Sequence, residues 1–123
     1  MLTEARMDTM AAIYRRRTVR SYAPARVEKA TIEQLLDAAV RAPTALYQEP
    51  WAFAVIQDEE HLRRYSDRAK ALGFAVGVLN LAEVKHELGI PESGAAVAPI
   101  ILGVPKGSIP AGSRKAPEVL SWV

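Results

Sequence analysis

The sequence predicts an α+β fold, a sheet flanked by helices, on three observations. Capped segments with helical apolar spacing recur from residue 8 to residue 88. Apolar segments that read as strand candidates fall at 51–56 and 95–104. The remaining residues, 105–123, are rich in proline and carry too few apolar side chains for a core of their own. At 123 residues, the chain has the length of one domain, which would bury about two-thirds of its unfolded surface.

Residues 8–17 read as the first helix, with Met10, Ile13 and Tyr14 at helical spacing and Asp8 or Thr9 as cap. Ser21-Tyr22-Ala23-Pro24 breaks it, because a proline pushes its predecessor out of the helical region. A second helix is expected over about 31–41. Thr31-Ile32-Glu33-Gln34 has the form of a capping box, and Ile32, Leu35, Leu36, Ala39 and Val40 make one apolar face. Pro43 stops it, and the loop TALYQEP leads into the first strand candidate, Trp51 to Ile56. Asp58, Glu59 and Glu60 favour the positive end of a third helix, 58–72, with Leu62, Tyr65, Ala69 and Leu72 facing the core.

Beyond Leu72 the pattern is less regular. Gly73 to Leu79 reads as a short strand or a buried turn. Asn80 caps a further helix to about Leu88, with Gly89 as a left-handed stop ahead of Pro91. Ala95 to Val104 is the second strand candidate, and Pro99 within it implies an edge or a bulge. The tail ends on Val119, Leu120 and Trp122. It must lie across another surface or stay loose.

Composition narrows the chemistry. With no cysteine, the chain offers no disulfide, thiolate zinc site or cysteine nucleophile. The two histidines, His61 and His86, stand 25 positions apart and read as surface residues, so a metal site is not expected. No phosphate-binding glycine loop, HExxH or serine elbow is present. Glu83 and Glu87 read as solvated helix neighbours. No apolar run reaches the roughly 18–20 residues that span a bilayer, and MLTEARMDTM lacks a signal-peptide core, so a cytoplasmic protein without a membrane partner is expected. If the chain supports an enzyme, a bound cofactor carries the hard chemistry.

The formal net charge of +2 hides a gradient. Residues 1–30 hold seven basic and three acidic side chains, and the excess is concentrated in Arg15, Arg16, Arg17 and Arg20. Around Thr18, these guanidinium groups can grip a phosphate in bidentate fashion. A solvated helix end is the plainer alternative. Nucleic acid is disfavoured, because the block is short and lacks an aromatic stacking platform. A second basic pair, Arg114-Lys115, sits in the tail, and convergence of the two clusters on one phosphate is the sharper reading.

The run YRRRTVRSY, then V-x(4)-I-x(2)-LL-x-AA, then RAPTALYQEPWAFAVI resembles the opening of the FMN-dependent nitroreductase family. LNLAEVKHELGIPE, APIILGVPKG and RKAPEVLSW resemble that family's last helix, last core strand and closing extension. The resemblance implies one nitroreductase-like domain over 1–123, with an N-terminal block at 12–72 and a C-terminal block at 73–104. An extension at 105–123 would wrap a partner subunit of an intertwined homodimer. It implies that Arg16, Arg17, Thr18 and Arg20 hold the FMN phosphate, with Arg114 reaching it and Lys115 beside it. Pro43, Thr44, Ala45 and Tyr47 would line the flavin. No protein side chain is then the catalytic group: FMN passes hydride from NAD(P)H to a nitroaromatic, quinone or similar small-molecule acceptor.

Three departures set this chain apart. Tyr47 and Glu49 stand where the family has amides that hydrogen-bond the flavin, and a tyrosine lacks the amide's paired donor and acceptor. Between Leu72 and Gly73 the family carries a core strand and a long central helix of the dimer interface, and here there is none. The fold is therefore expected to be a nitroreductase-like sheet truncated in the middle, with an extended C-terminal arm. Association with a second copy would have to compensate. The alternative is a degenerate, non-catalytic module that binds FMN or phosphate, or only dimerises.

Overall fold

The first helix begins where a carboxylate can cap it. The computed structural model describes residues 7–121. Trp122, the last of the closing apolar set, lies outside them, as do residues 1–6. Helix α1 spans Thr9–Arg15, and Asp8 accepts a hydrogen bond from the Ala11 N–H at 2.9 Å. Its last turn unwinds at Arg16, which is extended at φ −55°, ψ 135°. Met10, Ile13 and Tyr14 are exposed and do not form the core face their spacing suggests.

The described residues fall into two units, residues 7–25 with 103–121, and Arg26–Leu102. In the first unit α1 is followed by a chain that meets the tail through one antiparallel bridge, Tyr22 to Pro105. Ala23 N–H donates to the Val104 carbonyl at 2.8 Å and Lys106 N–H to that of Ser21 at 3.0 Å. The Tyr22 ring lies directly over Gly103: a Cβ there would come within 2.5 Å of Tyr22 Cδ1. A side chain at 103 and the ring of Tyr22 cannot share that space.

The second unit carries four further α-helices among the described residues. Helix α2 spans Lys29–Ala39 and starts from Glu28, which makes no side-chain cap bond. Thr31 is thus inside the helix, and the expected capping box is not its start. Ile32 is the buried residue of α2, whereas Leu35 remains exposed. Helix α3, Glu59–Leu72, follows its expected course. Asp58 accepts from the His61 N–H at 2.9 Å, and Gly73 ends the helix in the left-handed conformation at φ 83°.

Helix α4, Ala75–Leu79, replaces the expected strand or turn. Its Val78 is almost fully buried beside Tyr65 of α3. Helix α5, Ala82–Glu87, is entered from Leu81, so Asn80 is not its cap. The Asn80 amide instead donates to the Ala96 carbonyl at 2.8 Å and accepts from the Ala96 N–H at 2.9 Å. It supplies the chain at Ala96 with the paired bonds that a neighbouring strand would make. Gly89 is left-handed at φ 68°, as the stop signal implies.

The core of this unit is small. Tyr65, Val78 and Val84 are buried together, with Ile56, Ala69, Leu79, Leu81 and Leu88 packed around them. Leu62 and Leu72, expected to face inward, are about half exposed. Two ion pairs flank the core: Arg68 with Glu83 at 2.8 Å, and Arg64 with Glu87 at 2.5 Å. Tyr65 also donates its hydroxyl to Glu87 at 2.5 Å. The two glutamates are therefore held by α3, not freely solvated.

The expected α+β architecture is corrected by this structure. Among the described residues there are helices and one isolated bridge, with no strand and no sheet. Residues 51–56 and 95–102 run without regular secondary structure and form no ladder with each other. Trp51, Phe53 and Val55 are exposed, as are Val97, Ile100, Ile101 and Leu102. A sheet needs three or more strands with a covered apolar face for independent stability. Leu72 and Gly73 are adjacent, so no further strand stands between the two candidates, and Pro99 removes a donor from the second. Each segment keeps its strand-like composition and lacks its partner.

Candidate functional site

The arginine block stands just beyond the end of α1, where the chain has left the helix and its side chains spread. Arg17 turns back: its Nη1 donates to the carbonyls of Tyr14 at 2.8 Å and Arg16 at 2.9 Å. It thereby satisfies helix-end acceptors that would otherwise face water. Nε and Nη2 remain for a further acceptor. The tail returns past this end through the Tyr22–Pro105 bridge. The result, within the first unit, is a cavity of about 610 Å³ lined by Arg16, Arg17, Thr18, Arg114, Tyr14 and Gly112, with Ile13, Ile109, Pro110 and Ala111.

Two basic clusters read from sequence thus meet at one cavity. Arg16, Arg17 and Thr18 come from the first cluster and Arg114 from the second. Arg20 and Lys115 do not line it. Lys115 pairs instead with Glu118 at 2.7 Å. No acidic side chain is in the lining, and none of Arg16, Arg17 and Arg114 forms an ion pair among the described residues. Three guanidinium groups and a hydroxyl with no competing carboxylate are a donor set for a multiply charged oxyanion. That set fits the phosphate end of FMN.

Tyr14, Ile109, Pro110 and Gly112 are lining residues that sequence reasoning does not single out. The helical spacing of Tyr14 places it on a core face, and only its 73% exposure distinguishes it. The tail residues carry no chemical signal of their own. Their only sequence cue is adjacency to Arg114.

Pro43, Thr44, Ala45 and Tyr47 belong to the second unit. Ala45–Tyr47 form a 3-10 turn, in which Leu46 and Tyr47 hold positive φ values of 53° and 54°. Glu49 is also left-handed at φ 45°, and its N–H donates to Thr44 Oγ1 at 3.2 Å. Three non-glycine residues in this region within four positions are strained, at a cost of order 1–3 kcal/mol each. Tyr47 is 95% exposed, so its ring is available to a ligand and is not used by the fold.

Electrostatics elsewhere follow the contacts already described. The Tyr65 hydroxyl bond and the Arg64 charge hold the Glu87 carboxyl below its ordinary range, and Arg68 does the same for Glu83. His61 lowers Asp58 through its hydrogen bonds. Burial raises Tyr65. No cluster of ligating side chains suited to a metal ion occurs among the described residues, and no helix of theirs is long and apolar enough to cross a membrane.

Comparison with known proteins gives this geometry its context. Two archaeal proteins carry the name "Putative NADH dehydrogenase/NAD(P)H nitroreductase". The one from Archaeoglobus fulgidus is 37% identical over 60 residues, 49% of this chain and 34% of the relative. The one from Methanothermobacter thermautotrophicus is 37% identical over 60 residues, covering 49% of this chain and 31% of the relative. A Thermus thermophilus protein named NADH dehydrogenase is 32% identical over 63 residues, 51% of this chain and 31% of its own length. The matched region thus spans about a third of these curated relatives. No solved structure matches the chain. The family model described as "Nitroreductase family" matches residues 13–74, which include the arginine block, the 43–49 loop and α3. With half of its length matched by that model, the chain belongs to the nitroreductase family.

Proposed function

We propose that the chain works as a flavin-dependent oxidoreductase of nitroreductase type, with FMN as cofactor and NAD(P)H as hydride donor. The observation that carries this reading is the meeting of Arg16, Arg17, Thr18 and Arg114 around one acid-free cavity. Family membership and the names of the relatives support the general class of reaction. Bound FMN would supply the redox chemistry, taking hydride from NAD(P)H and reducing a nitroaromatic, quinone or similar acceptor.

The chain's own residues bind and orient. Arg16 and Arg114 approach the cavity from different stretches of backbone, so together they fix a phosphate's position as well as neutralise it. Arg17 ties that grip to the end of α1 through its two carbonyl bonds. Thr18 offers one further donor. Within the second unit taken by itself, the exposed Tyr47 ring stands where the family has an amide. The exposed apolar residues of 51–56 and 97–102 support a homodimer, since burying them against a second copy removes apolar area from water.

A second reading is a non-catalytic module that keeps the phosphate site, and the absence of a sheet among the described residues favours it. Colour separates the two. Protein reconstituted with FMN and bleached anaerobically by NAD(P)H is an oxidoreductase; protein that holds FMN without bleaching is a binding module. Retention of FMN is expected to be lost in the Arg16→Ala, Arg114→Ala double variant. If the native chain stays colourless in excess FMN, the flavin reading fails.

A further inference from the structure

We infer that residues 51–55 pair with the same residues of a second copy as an antiparallel two-stranded ribbon centred on Phe53, a contact that rests on the homodimer reading above. Trp51 to Ile56 is an unbroken run without charge, proline or glycine, the composition of a segment that seeks strand partners. Among the described residues, none of its backbone N–H or C=O groups pairs with another backbone group. Such an edge is a template for a strand of another chain. Within one copy the segment has no partner strand, so the ladder exists only between copies.

The side chains already alternate. The Trp51 and Phe53 ring centroids are 5.7 Å apart, as residues two apart stand on one side of an extended chain. Val55 follows at the same spacing. These three are 40%, 46% and 53% exposed, and together they form a large apolar stripe. Ala52 and Ala54, the small residues between them, are exposed as well. Ile56 packs against the core around Tyr65. The fold therefore holds the segment at one end and leaves its backbone open to a partner.

Direction and register follow from what lies opposite. In an antiparallel pair, directly opposed side chains share a face. Phe53 against Phe53 of the second copy puts Trp51 against Val55 and Ala52 against Ala54, large with large and small with small. Aromatic pairs and aromatic–β-branched pairs are among those that stabilise a ladder. Beyond its ends, Glu49 meets Gln57 and Asp58 meets Gln48, so no like charges are opposed. The register with Phe53 against Ala54 sets Glu49 against Asp58, and a parallel pair in register sets each carboxylate against its own copy. The register with Phe53 against Ala52 sets Val55 against Pro50, which has no N–H to give. The arrangement centred on Phe53 avoids all three penalties, and it is self-complementary as a two-fold contact must be.

The full chain has no cysteine, so single cysteine variants report pairing without background. A disulfide needs Cα atoms about 4.4–6.8 Å apart, a separation that directly opposed residues meet. Under mild oxidation Phe53→Cys is expected to cross-link to itself. Trp51→Cys and Val55→Cys should cross-link when mixed, and neither should do so alone. In sedimentation, Phe53→Asp should lose the dimer at concentrations where the native chain is dimeric, because it opposes two carboxylates. Mixing it with Phe53→Lys should restore the dimer. Helical circular dichroism, unchanged in these exposed-site variants, separates loss of pairing from loss of fold. A dimer that lacks the Phe53→Cys cross-link and withstands Phe53→Asp overturns the inference and leaves the homodimer reading standing. Assemblies that grow beyond two copies also overturn it, since that is open-ended stacking. A native chain that stays monomeric removes both readings.

Discussion

Substituting Gly103 with alanine tests whether the tail is held in place by the Tyr22 contact, and whether the arginine-lined cavity depends on that hold. The new Cβ would stand 2.5 Å from Tyr22 Cδ1 and 3.0 Å from Cγ. Those atoms are close to the backbone, so the ring cannot swing clear as a flexible side-chain tip would. Tyr22 is half-buried, and its own backbone takes part in the bridge to Pro105. Relief must come from moving residues 103–106 away from 21–23, and overpacking of this kind costs about 1–3 kcal/mol. The bonds from Ala23 to Val104 and from Lys106 to Ser21 lie in the path of that movement.

Loss of those bonds frees the tail that carries Arg114. A charge-assisted hydrogen bond contributes about 1.5–3 kcal/mol. Solvent reaches Arg114, so the lower end applies, and phosphate affinity should fall about tenfold. Calorimetry with inorganic phosphate on the native chain, Gly103→Ala and Arg114→Ala measures this. Gly103→Ala should approach Arg114→Ala, and the double variant should lose little more than either. Native affinity in Gly103→Ala, with Arg114→Ala impaired, would refute the reasoning: the tail would then be positioned by something other than the Tyr22–Gly103 contact.

Two further outcomes concern the second unit. Val84→Ala should destabilise it by about 2 kcal/mol, from two methyl groups removed at a site 1% exposed plus the cavity left beside Tyr65 and Val78. A urea midpoint unchanged by the substitution would show that this cluster is not the core. On acidification, helical circular dichroism should decline. Glu83 and Glu87 titrate below their ordinary 4.5 and Asp58 below 3.8, so their contribution is complete above those values and is lost as pH falls through the lowered folded ones. Tyr65 acts in the opposite sense: its raised value makes its contribution complete below 10.0 and lost as pH rises through the raised one. A helical signal constant down to about pH 2 would show that the ion pairs between α3 and α5 do not form in solution.

Helices α1 and α3 were legible in the residues because their starting signals are local. Asp8 and Asp58 cap them within three positions, and Gly73 stops α3 through its own backbone freedom. Helix α4 was not. Val76, Gly77 and Val78 favour a strand or turn by composition, and packing of Val78 against Tyr65 overrides that preference. The Asn80 cap failed for a related reason: its amide is more useful to Ala96, sixteen positions away, than to the helix beside it.

By itself the sequence determined the family, the arginine block at the exit of α1, and the strand-like composition of 51–56 and 95–104. These are properties of neighbouring residues and need no knowledge of distant ones. Tertiary structure alone decided that Arg114 shares a cavity with Arg16 and Arg17 while Lys115 turns to Glu118, and that the strand candidates stay unpaired. A ladder needs a partner strand and a cavity needs a second wall. Both are contacts between distant stretches of chain, and local propensity carries no information about which of them form.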